Sequence, residues 1–314
     1  MIIAGSTPPT QGMLCALVKK RLKVPFVYTL QDIFPDSMVN ARMTSKGSII
    51  WRIGRKIEDY TYRNADKIIV ISKDFKQNIM DKGVPEEKIV IIPNWVDTSS
   101  VYPIERKDNV LFSRYNIPKD KYYICYNGNI GHSQDMGVLL GAAKILKGQL
   151  SGVRFILVGD GAEKEEVSQR IDDENIDNVI MLPFQPYEDI AHVFSLGDAG
   201  LIISKPGIGG SSVPSKTWGI MAAGRPILCC FDLDSELSKL VERVDCGITA
   251  KAGDIESLMQ AVRWLYGNRN EAADKGKCGW AYVKNNASKD VCTSQYIAVI
   301  RGVAGASKDE QKSL

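Results

Sequence analysis

Short apolar runs alternate with amphipathic stretches along most of this chain. The runs are rich in β-branched and aromatic residues and are bounded by Pro, Gly, Asn or Asp, as buried parallel strands are. They cover residues 26–30, 67–71, 88–92, 122–126, 153–158, 179–182, 199–203 and 227–231. Between them apolar residues recur at helical spacing, for example at Ile49, Ile53 and Ile57. This alternation predicts an α/β chain with parallel sheets.

The pattern breaks at about residues 95–120, where no apolar period is clear, and this break predicts a linker. We expect a first domain over residues 1–98 and a second over 99–285. Residues 286–314 are then a helix that returns toward the first domain, followed by a disordered tail. The first domain is short for a doubly wound fold and opens directly on a strand. Its sheet is therefore expected to lack strands and to expose an edge.

Composition is that of an ordinary globular protein, with 314 residues, 44% hydrophobic and 25% charged. The net charge of +3 does not suggest a nucleic-acid partner. The first 70 residues nevertheless hold eleven Lys or Arg against five Asp or Glu, with basic clusters at residues 19–23 and 52–56. Such a basic half could rest on an anionic bilayer or meet a phosphorylated acceptor. Ordinary solvated helix faces are the alternative.

Localisation and metal chemistry are constrained by what the sequence contains. No apolar run approaches the length of a membrane span, and residues 1–6 do not resemble a signal peptide. Seven cysteines without a Cys-x-x-Cys pair indicate a reducing compartment. Two histidines argue against a His-based metal site. We therefore expect a cytoplasmic protein without a bound metal.

The most informative segment, residues 205–226, follows an apolar strand as a glycine-rich loop and then becomes a short helix. Such a loop lets backbone N–H groups approach a phosphate, which the helix N-terminus also favours. Lys216 lies in the first helical turn, where a cation is unfavourable unless an anion is bound. A solvated surface lysine is the alternative. The other candidate donor-binding residues of the loop are Gly209, Gly210, Ser211, Ser212 and Ser215.

An earlier segment, the first glycine loop at residues 126–136, also follows a strand and opens a helix. Gly128 and Gly131 would let the backbone approach a diphosphate, while Asn129 and Gln134 could add neutral donors. A turn that needs glycine only for its geometry is the alternative.

Two further segments carry weaker signals. The turn at residues 158–164 has Lys164 where a dinucleotide fingerprint needs its third glycine, so a structural turn is preferred to an NAD site. At the next helix start, Asp234 or Ser235 is a natural N-cap. Glu236 could reach a ribose hydroxyl pair, or it could simply complement the helix dipole.

In the first domain, two carboxylates follow the strand at residues 26–30. Active sites of parallel sheets lie at this end of the strands. Asp32 could orient or deprotonate an acceptor hydroxyl. Asp36 or Ser37 could instead cap the following helix, and capping suits Asp36 better.

Four segments in order resemble those of the family 4 glycosyltransferases, whose GT-B fold has two Rossmann-like domains facing a cleft. They are residues 65–72 with 91–97, residues 127–131, residues 158–161, and residues 214–226. Residues 31–37 look like a subgroup found in bacterial O-antigen and capsule gene clusters, which includes proteins described as fucosamine transferases. The resemblance implies transfer of a sugar from a nucleotide diphosphate, with UDP the expected nucleotide, to a lipid-linked saccharide at the cytoplasmic membrane face.

The chain departs from the family pattern at several positions. Many members carry two Glu across the donor loop, seven residues apart, where this chain has Ser211 and Gly219. The second Glu usually contacts the donor ribose, so Glu236 is the candidate substitute.

Two other departures concern charge and the acceptor. Members commonly place an Arg and a Lys in the first glycine loop, at the positions of Asn129 and Gln134. Lys205, Lys216 and Arg225 would then have to supply positive charge. The histidine often found before the cleft aspartate is Gln31, so the resemblance puts Gln31 and Asp32 at the catalytic positions.

The expected mechanism is glycosyl transfer without metal or other cofactor, the nucleotide sugar being the substrate. Backbone amides, Lys216 and the helix dipole would stabilise charge on the leaving UDP. A nucleotide-sugar epimerase or hydrolase on the same fold is one alternative, although no clear carboxylate pair supports it. The other is a non-catalytic remnant that binds nucleotide, or a partner subunit, without turnover, which the short first domain and the lost Glu pair favour.

Overall fold

The computed structural model describes residues 1–40, 43–207 and 213–312. Two compact units divide the chain. The first consists of Met1–Asn94 together with Asp290–Leu314, and the second is Trp95–Lys289. Each unit is an α/β structure built on its own parallel sheet, as the alternating pattern predicts.

The strands of the described residues are β1 (Ile2–Gly5), β2 (Phe26–Leu30), β3 (Lys67–Val70), β4 (Ile89–Ile91), β5 (Tyr122–Asn127), β6 (Val153–Val158), β7 (Val179–Leu182), β8 (Ala199–Ile203), β9 (Ile227–Phe231) and β10 (Gly247–Lys251). The predicted runs match β2 to β9 within two residues at each end. Two strands, β1 and β10, complete the set, and the sequence pattern predicts the first of them.

The helices are α1 (Thr10–Leu22), α2 (Asp36–Asn40), α3 (Ile49–Asn64), α4 (Lys73–Asp81), α5 (Val110–Arg114), α6 (Met136–Gln149), α7 (Lys164–Asp173), α8 (Ile190–Phe194), α9 (Lys216–Ala222), α10 (Glu236–Val244), α11 (Ile255–Gly267), α12 (Arg269–Tyr282) and α13 (Lys289–Lys312). The backbone of α13 continues to Lys312, so most of the tail that was expected to be disordered is helical. Good helix formers such as Ala, Lys, Glu and Gln dominate that end of the chain.

In the first unit the strand order is β1-β2-β3-β4, and every neighbouring pair is parallel. On one face Phe26, Tyr28 and Ile68 pack in a core with residues of α1, α3 and α4. On the other face Val27 and Ile69 pack against α13. The strand β1 is an edge of this sheet among the described residues.

In the second unit the order is β10-β9-β8-β5-β6-β7, again fully parallel. From β5 the chain proceeds outward to β6 and β7, whereas β8 returns to the other side of β5 and leads to β9 and β10. The order of the strands therefore reverses between β5 and β8. In open α/β sheets a crevice forms at such a switch point, beyond the carboxyl ends of the strands, and ligands bind there.

Candidate functional site

Two glycine turns at the carboxyl ends of β5 and β6 are interlocked. The Gly128 N–H donates to the Val158 carbonyl at 2.9 Å, and the Ile130 N–H donates to the Asp160 carbonyl at 2.8 Å. A Cβ at residue 159 would overlap the carbonyl oxygen of Gly128. The second turn therefore supports the first by close backbone contact, which agrees with a structural role for it.

The first glycine loop is closed by its own side chains. The Gln134 side-chain oxygen accepts a hydrogen bond from the Gly131 N–H at 3.2 Å. A Cβ at residue 131 would lie 2.6 Å from Nδ2 of Asn129, whose amide thus covers the glycine. Gln134 thus orders the backbone of the loop through its side-chain oxygen, and Asn129 is the more exposed of the two side chains.

Lys216 points toward this loop from the start of α9. Its Nζ lies 3.9 Å from the ring centroid of Tyr126, the residue two before Gly128. A Cβ at residue 128 would be only 3.1 Å from the same nitrogen, so a side chain there would crowd the ammonium. The lysine therefore occupies the space that the glycine leaves open.

Burial lowers the pKa of Lys216 from 10.5 to about 8, because the charged form loses its hydration. The Tyr126 ring face attracts the ammonium but is a weak substitute for an anion. No carboxylate of the described residues lies within 4.0 Å of Nζ to offset that loss. A half-buried cation without a carboxylate partner is suited to receive an anionic ligand.

Lys205 follows β8 on the other side of the switch point. Its N–H donates to the Ser133 carbonyl at 2.9 Å, which fastens the donor loop to the first glycine loop. Its Nζ lies 3.6 Å from Oε1 of Glu163, and the same oxygen lies 2.7 Å from Nδ1 of His132. Glu163 thus connects three loops at one edge of the sheet.

Sequence reasoning did not select Glu163, His132 or Tyr126 for the site. Glu163 lies in the turn at residues 158–164, which was interpreted as structural, and its contacts depend on the packing of separate turns. Tyr126 reads as an ordinary strand residue, and only the fold shows that Lys216 stacks on its ring. The position of Tyr126 at the start of the first glycine loop is the one signal that could have indicated it.

The remaining donor-loop residues are only partly described. Ser215 is exposed and precedes α9 without forming a capping hydrogen bond. Gly209, Gly210, Ser211 and Ser212 lie outside the described residues. Helix α9 has only seven residues. An anion at this site would therefore meet Lys216 and the loops rather than the dipole of a long helix.

Glu236 and Arg225 lie at opposite ends of the strands of the second sheet. Glu236 is the first residue of α10, beyond the carboxyl end of β9, and Ser235 is the N-cap that accepts from the Ser238 N–H at 3.1 Å. Arg225 instead precedes β9 and donates to the carbonyls of Ile104 and Ser195, at 2.8 and 3.2 Å. This placement at the amino ends of the strands gives Arg225 a structural role and removes it from the candidate donor site.

In the first unit, Gln31 and Asp32 lie at the carboxyl end of β2. Both of their N–H groups donate to Oγ of the buried Ser6, at 3.0 and 3.1 Å. The Asp32 carboxylate accepts from Ser37 Oγ at 3.1 Å and remains exposed with Gln31. Ser6, which follows β1, is thus the residue that fixes this turn, and sequence reasoning did not identify it.

Asp36 belongs to a different group of charges. It lies 2.7 Å from Lys82 Nζ, which is also 3.1 Å from Oε1 of the buried Glu58. Contact with Lys82 lowers the pKa of Asp36 although partial burial acts to raise it. Burial raises the pKa of Glu58 more than its cationic neighbours lower it. These contacts give Asp36 a structural role, in agreement with the weaker functional case for it.

Comparison with family models shows which protein family the chain belongs to. Residues 2–100 match the model described as Glycosyltransferase Family 4, and residues 108–279 match the model described as Glycosyl transferases group 1. The chain belongs to the family 4 glycosyltransferases. It is therefore a glycosyl-transferring enzyme by family, as the four sequence segments predict.

Two curated relatives are similar to this glycosyltransferase over most of its length. A Pseudomonas aeruginosa protein named as the glycosyltransferase WbjE is 25% identical over 310 residues, covering 98% of this chain and 76% of the relative. An Escherichia coli (strain K12) protein named as the colanic acid biosynthesis glycosyl transferase WcaI is 25% identical over 282 residues, covering 88% and 67%.

Among solved structures, the glycosyltransferase resembles Anabaena Alr3699/HepE in complex with UDP. The TM-score is 0.79 at 17% identity, and the match covers 96% of this chain and 78% of that one. At this identity the likeness shows the fold alone, which is GT-B. In the described part of the glycosyltransferase no helix has the length and apolar character that a membrane span requires.

Proposed function

We propose that this glycosyltransferase moves a sugar from a UDP-sugar to a lipid-linked saccharide during synthesis of a bacterial O-antigen or capsular polysaccharide. The position of Lys216 is the observation that carries the proposal, because its half-buried ammonium faces a glycine loop at the switch point of the sheet. UDP is supported by the complex of HepE, and polysaccharide synthesis by the name of WcaI. An N-acetylated amino sugar such as fucosamine is the proposed donor sugar, on the resemblance of residues 31–37.

The proposed mechanism stabilises the leaving group. As the glycosidic bond breaks, negative charge grows on the diphosphate, and Lys216 with the amides of the first glycine loop would lie against it. Lys205 and Asn129 would add donors at the same edge. In the first unit, Asp32 and Gln31 are proposed to orient the acceptor hydroxyl. Glu236 is proposed to meet the ribose, in place of the family Glu whose position is Gly219.

The acceptor and its location complete the proposal. The excess of basic residues among the first 70 favours contact with a surface of anionic lipid. A lipid-linked saccharide would be presented at such a surface. We therefore propose peripheral contact with the inner face of the plasma membrane. No nucleic acid, metal or other cofactor has a part in the proposed reaction.

Calorimetric titration with UDP, GDP and ADP tests the donor site. We expect UDP to bind in preference to the other two. Lys216→Ala should weaken UDP binding about 10- to 100-fold, because it removes a charge-assisted contact to the diphosphate. Lys277→Ala is the matched control, since Lys277 is an exposed lysine of the same unit that pairs with Asp274. An unchanged affinity in Lys216→Ala would refute the assignment of Lys216.

A nucleotide-binding remnant without turnover is the second candidate, and Gly219 favours it. A Cβ at residue 219 would overlap the Phe194 ring, so the family Glu has no room at this position without displacement of that ring. UDP binding without sugar transfer or hydrolysis of any UDP-sugar would establish the remnant. If the folded protein binds no nucleotide at all, both candidates fail.

A further inference from the structure

The first turns of α3 expose an unusual amount of apolar surface. Ile49, Ile50 and Ile53 are 78%, 56% and 54% exposed, although isoleucine is among the residues most often buried. The helix start is well defined, because Ser48 Oγ accepts from the Trp51 N–H at 3.1 Å. At this spacing the three isoleucines lie on one side of the helix.

Basic side chains surround these isoleucines. Lys46, Arg52 and Lys56 are exposed, and none of the described residues places a carboxylate within 4.0 Å of their charged groups. Some other lysines of the unit are paired, as Lys19 is with Asp66. We call Lys46, Ile49, Ile50, Arg52, Ile53 and Lys56 the α3 patch. Apolar side chains among unpaired cations match a surface that is apolar inside and anionic outside, as a bilayer of acidic lipids is.

The α3 patch lies near the candidate acceptor residues. A Cβ at Gly54 would lie 2.8 Å from the Phe34 ring and 2.9 Å from Cβ of Pro35, so α3 contacts the segment that directly follows Asp32. The start of α3 therefore lies at the same end of the first unit as Gln31 and Asp32, which is the carboxyl end of β2. A membrane at the patch would bring lipid headgroups to that edge.

A second apolar and basic surface lies on α1 but is placed differently. Leu17, Val18 and Leu22 are exposed in the second half of α1, and the basic residues 20, 21 and 23 lie at the end of the helix. This end leads into β2 and so lies at the amino ends of the strands, away from Gln31 and Asp32. It offers a matched control with similar chemistry at the opposite edge.

We propose that the α3 patch docks the first unit on an anionic bilayer, with the isoleucines in the interface and the cations among the headgroups. The role of this contact in sugar transfer rests on the proposed function, in which the acceptor is lipid-linked. The docking itself needs no sugar transfer and can be measured separately.

The test is co-sedimentation of the full chain with vesicles of phosphatidylglycerol and phosphatidylcholine in equal parts, compared with phosphatidylcholine alone. We expect the wild type to prefer the anionic vesicles and to lose binding as salt rises. The variant I49S/I50S/I53S should bind about tenfold more weakly or worse, because it removes the apolar insertion. R52Q/K56Q should weaken binding to anionic vesicles and flatten the salt dependence.

The control L17S/V18S/L22S on α1 should bind vesicles as the wild type does. UDP titration of every variant checks that the second unit is intact, and far-UV circular dichroism with thermal melting checks the first. Equal binding of the wild type to both kinds of vesicle overturns the proposal, as does an equal loss in the α1 control. Failure of the proposed function appears differently, as absent UDP binding or transfer by a chain that still binds anionic vesicles.

Discussion

At the scale of single residues, the pKa of Lys216 makes donor binding depend on pH. In the free protein burial holds this pKa at about 8, whereas the contact with a diphosphate favours the charged form and must raise it. UDP affinity should therefore fall as the pH rises above about 8, and binding at that pH should take up protons. Titrations in buffers of different ionisation enthalpy measure the uptake.

Lys216→Arg separates this effect from other titrations. The guanidinium stays charged across the range, so the variant should bind UDP with an affinity that changes little through pH 8. The buried space beside Tyr126 is shaped for a lysine, and a lower overall affinity of the variant is compatible with the argument. A wild type and a Lys216→Arg variant with the same pH profile would show that Lys216 does not titrate on binding.

At the scale of elements, the contact between the two glycine turns predicts a position that tolerates no side chain. In Gly159→Ala the new methyl group would overlap the carbonyl of Gly128, and both turns would have to move. We expect a loss of about 1–3 kcal/mol in the free energy of unfolding, together with weaker UDP binding. Chemical denaturation measures the first and calorimetry the second.

Gly148→Ala is the control for this substitution. Gly148 lies near the end of α6 with open space around its Cα, so alanine there should be neutral or stabilise the protein by up to about 1 kcal/mol. If Gly159→Ala is as stable as the Gly148 variant, the interlocking of the turns does not hold the loop in place.

Elements were predictable from the sequence where their signal is local. The run at residues 26–30 coincides with β2, because a strand buried on both faces is apolar at nearly every position. The run at residues 88–92 shortens to β4, because Lys88 ends a short 3₁₀ turn. The contacts of Lys216 with Tyr126 and of Gly159 with Gly128 join distant segments. The sequence names Lys216 and Gly128 as candidates, but their contacts with Tyr126 and Gly159 follow only from the order of the strands.

At the scale of the whole molecule, the candidate residues fall in two compact units with separate proposed tasks. Donor binding is assigned to loops of the second unit, whereas Asp32 belongs to the first. Arg225 shows the limit of assignment by sequence order, since a residue close to the donor loop along the chain lies at the other edge of the sheet.

This division predicts that transfer and donor binding can be lost independently. Asp32→Asn keeps the size of the side chain and can keep the contact with Ser37, but it removes the charge that would orient or deprotonate the acceptor. We expect transfer from the best UDP-sugar substrate to membrane-extracted lipid-linked saccharides to fall about 100-fold or more, with UDP affinity unchanged. Asp81→Asn, at an exposed aspartate of the same unit, should leave both quantities at the wild-type level. Wild-type transfer by Asp32→Asn would show that the acceptor is activated elsewhere, and a parallel loss of UDP affinity would show that the two units do not divide the tasks.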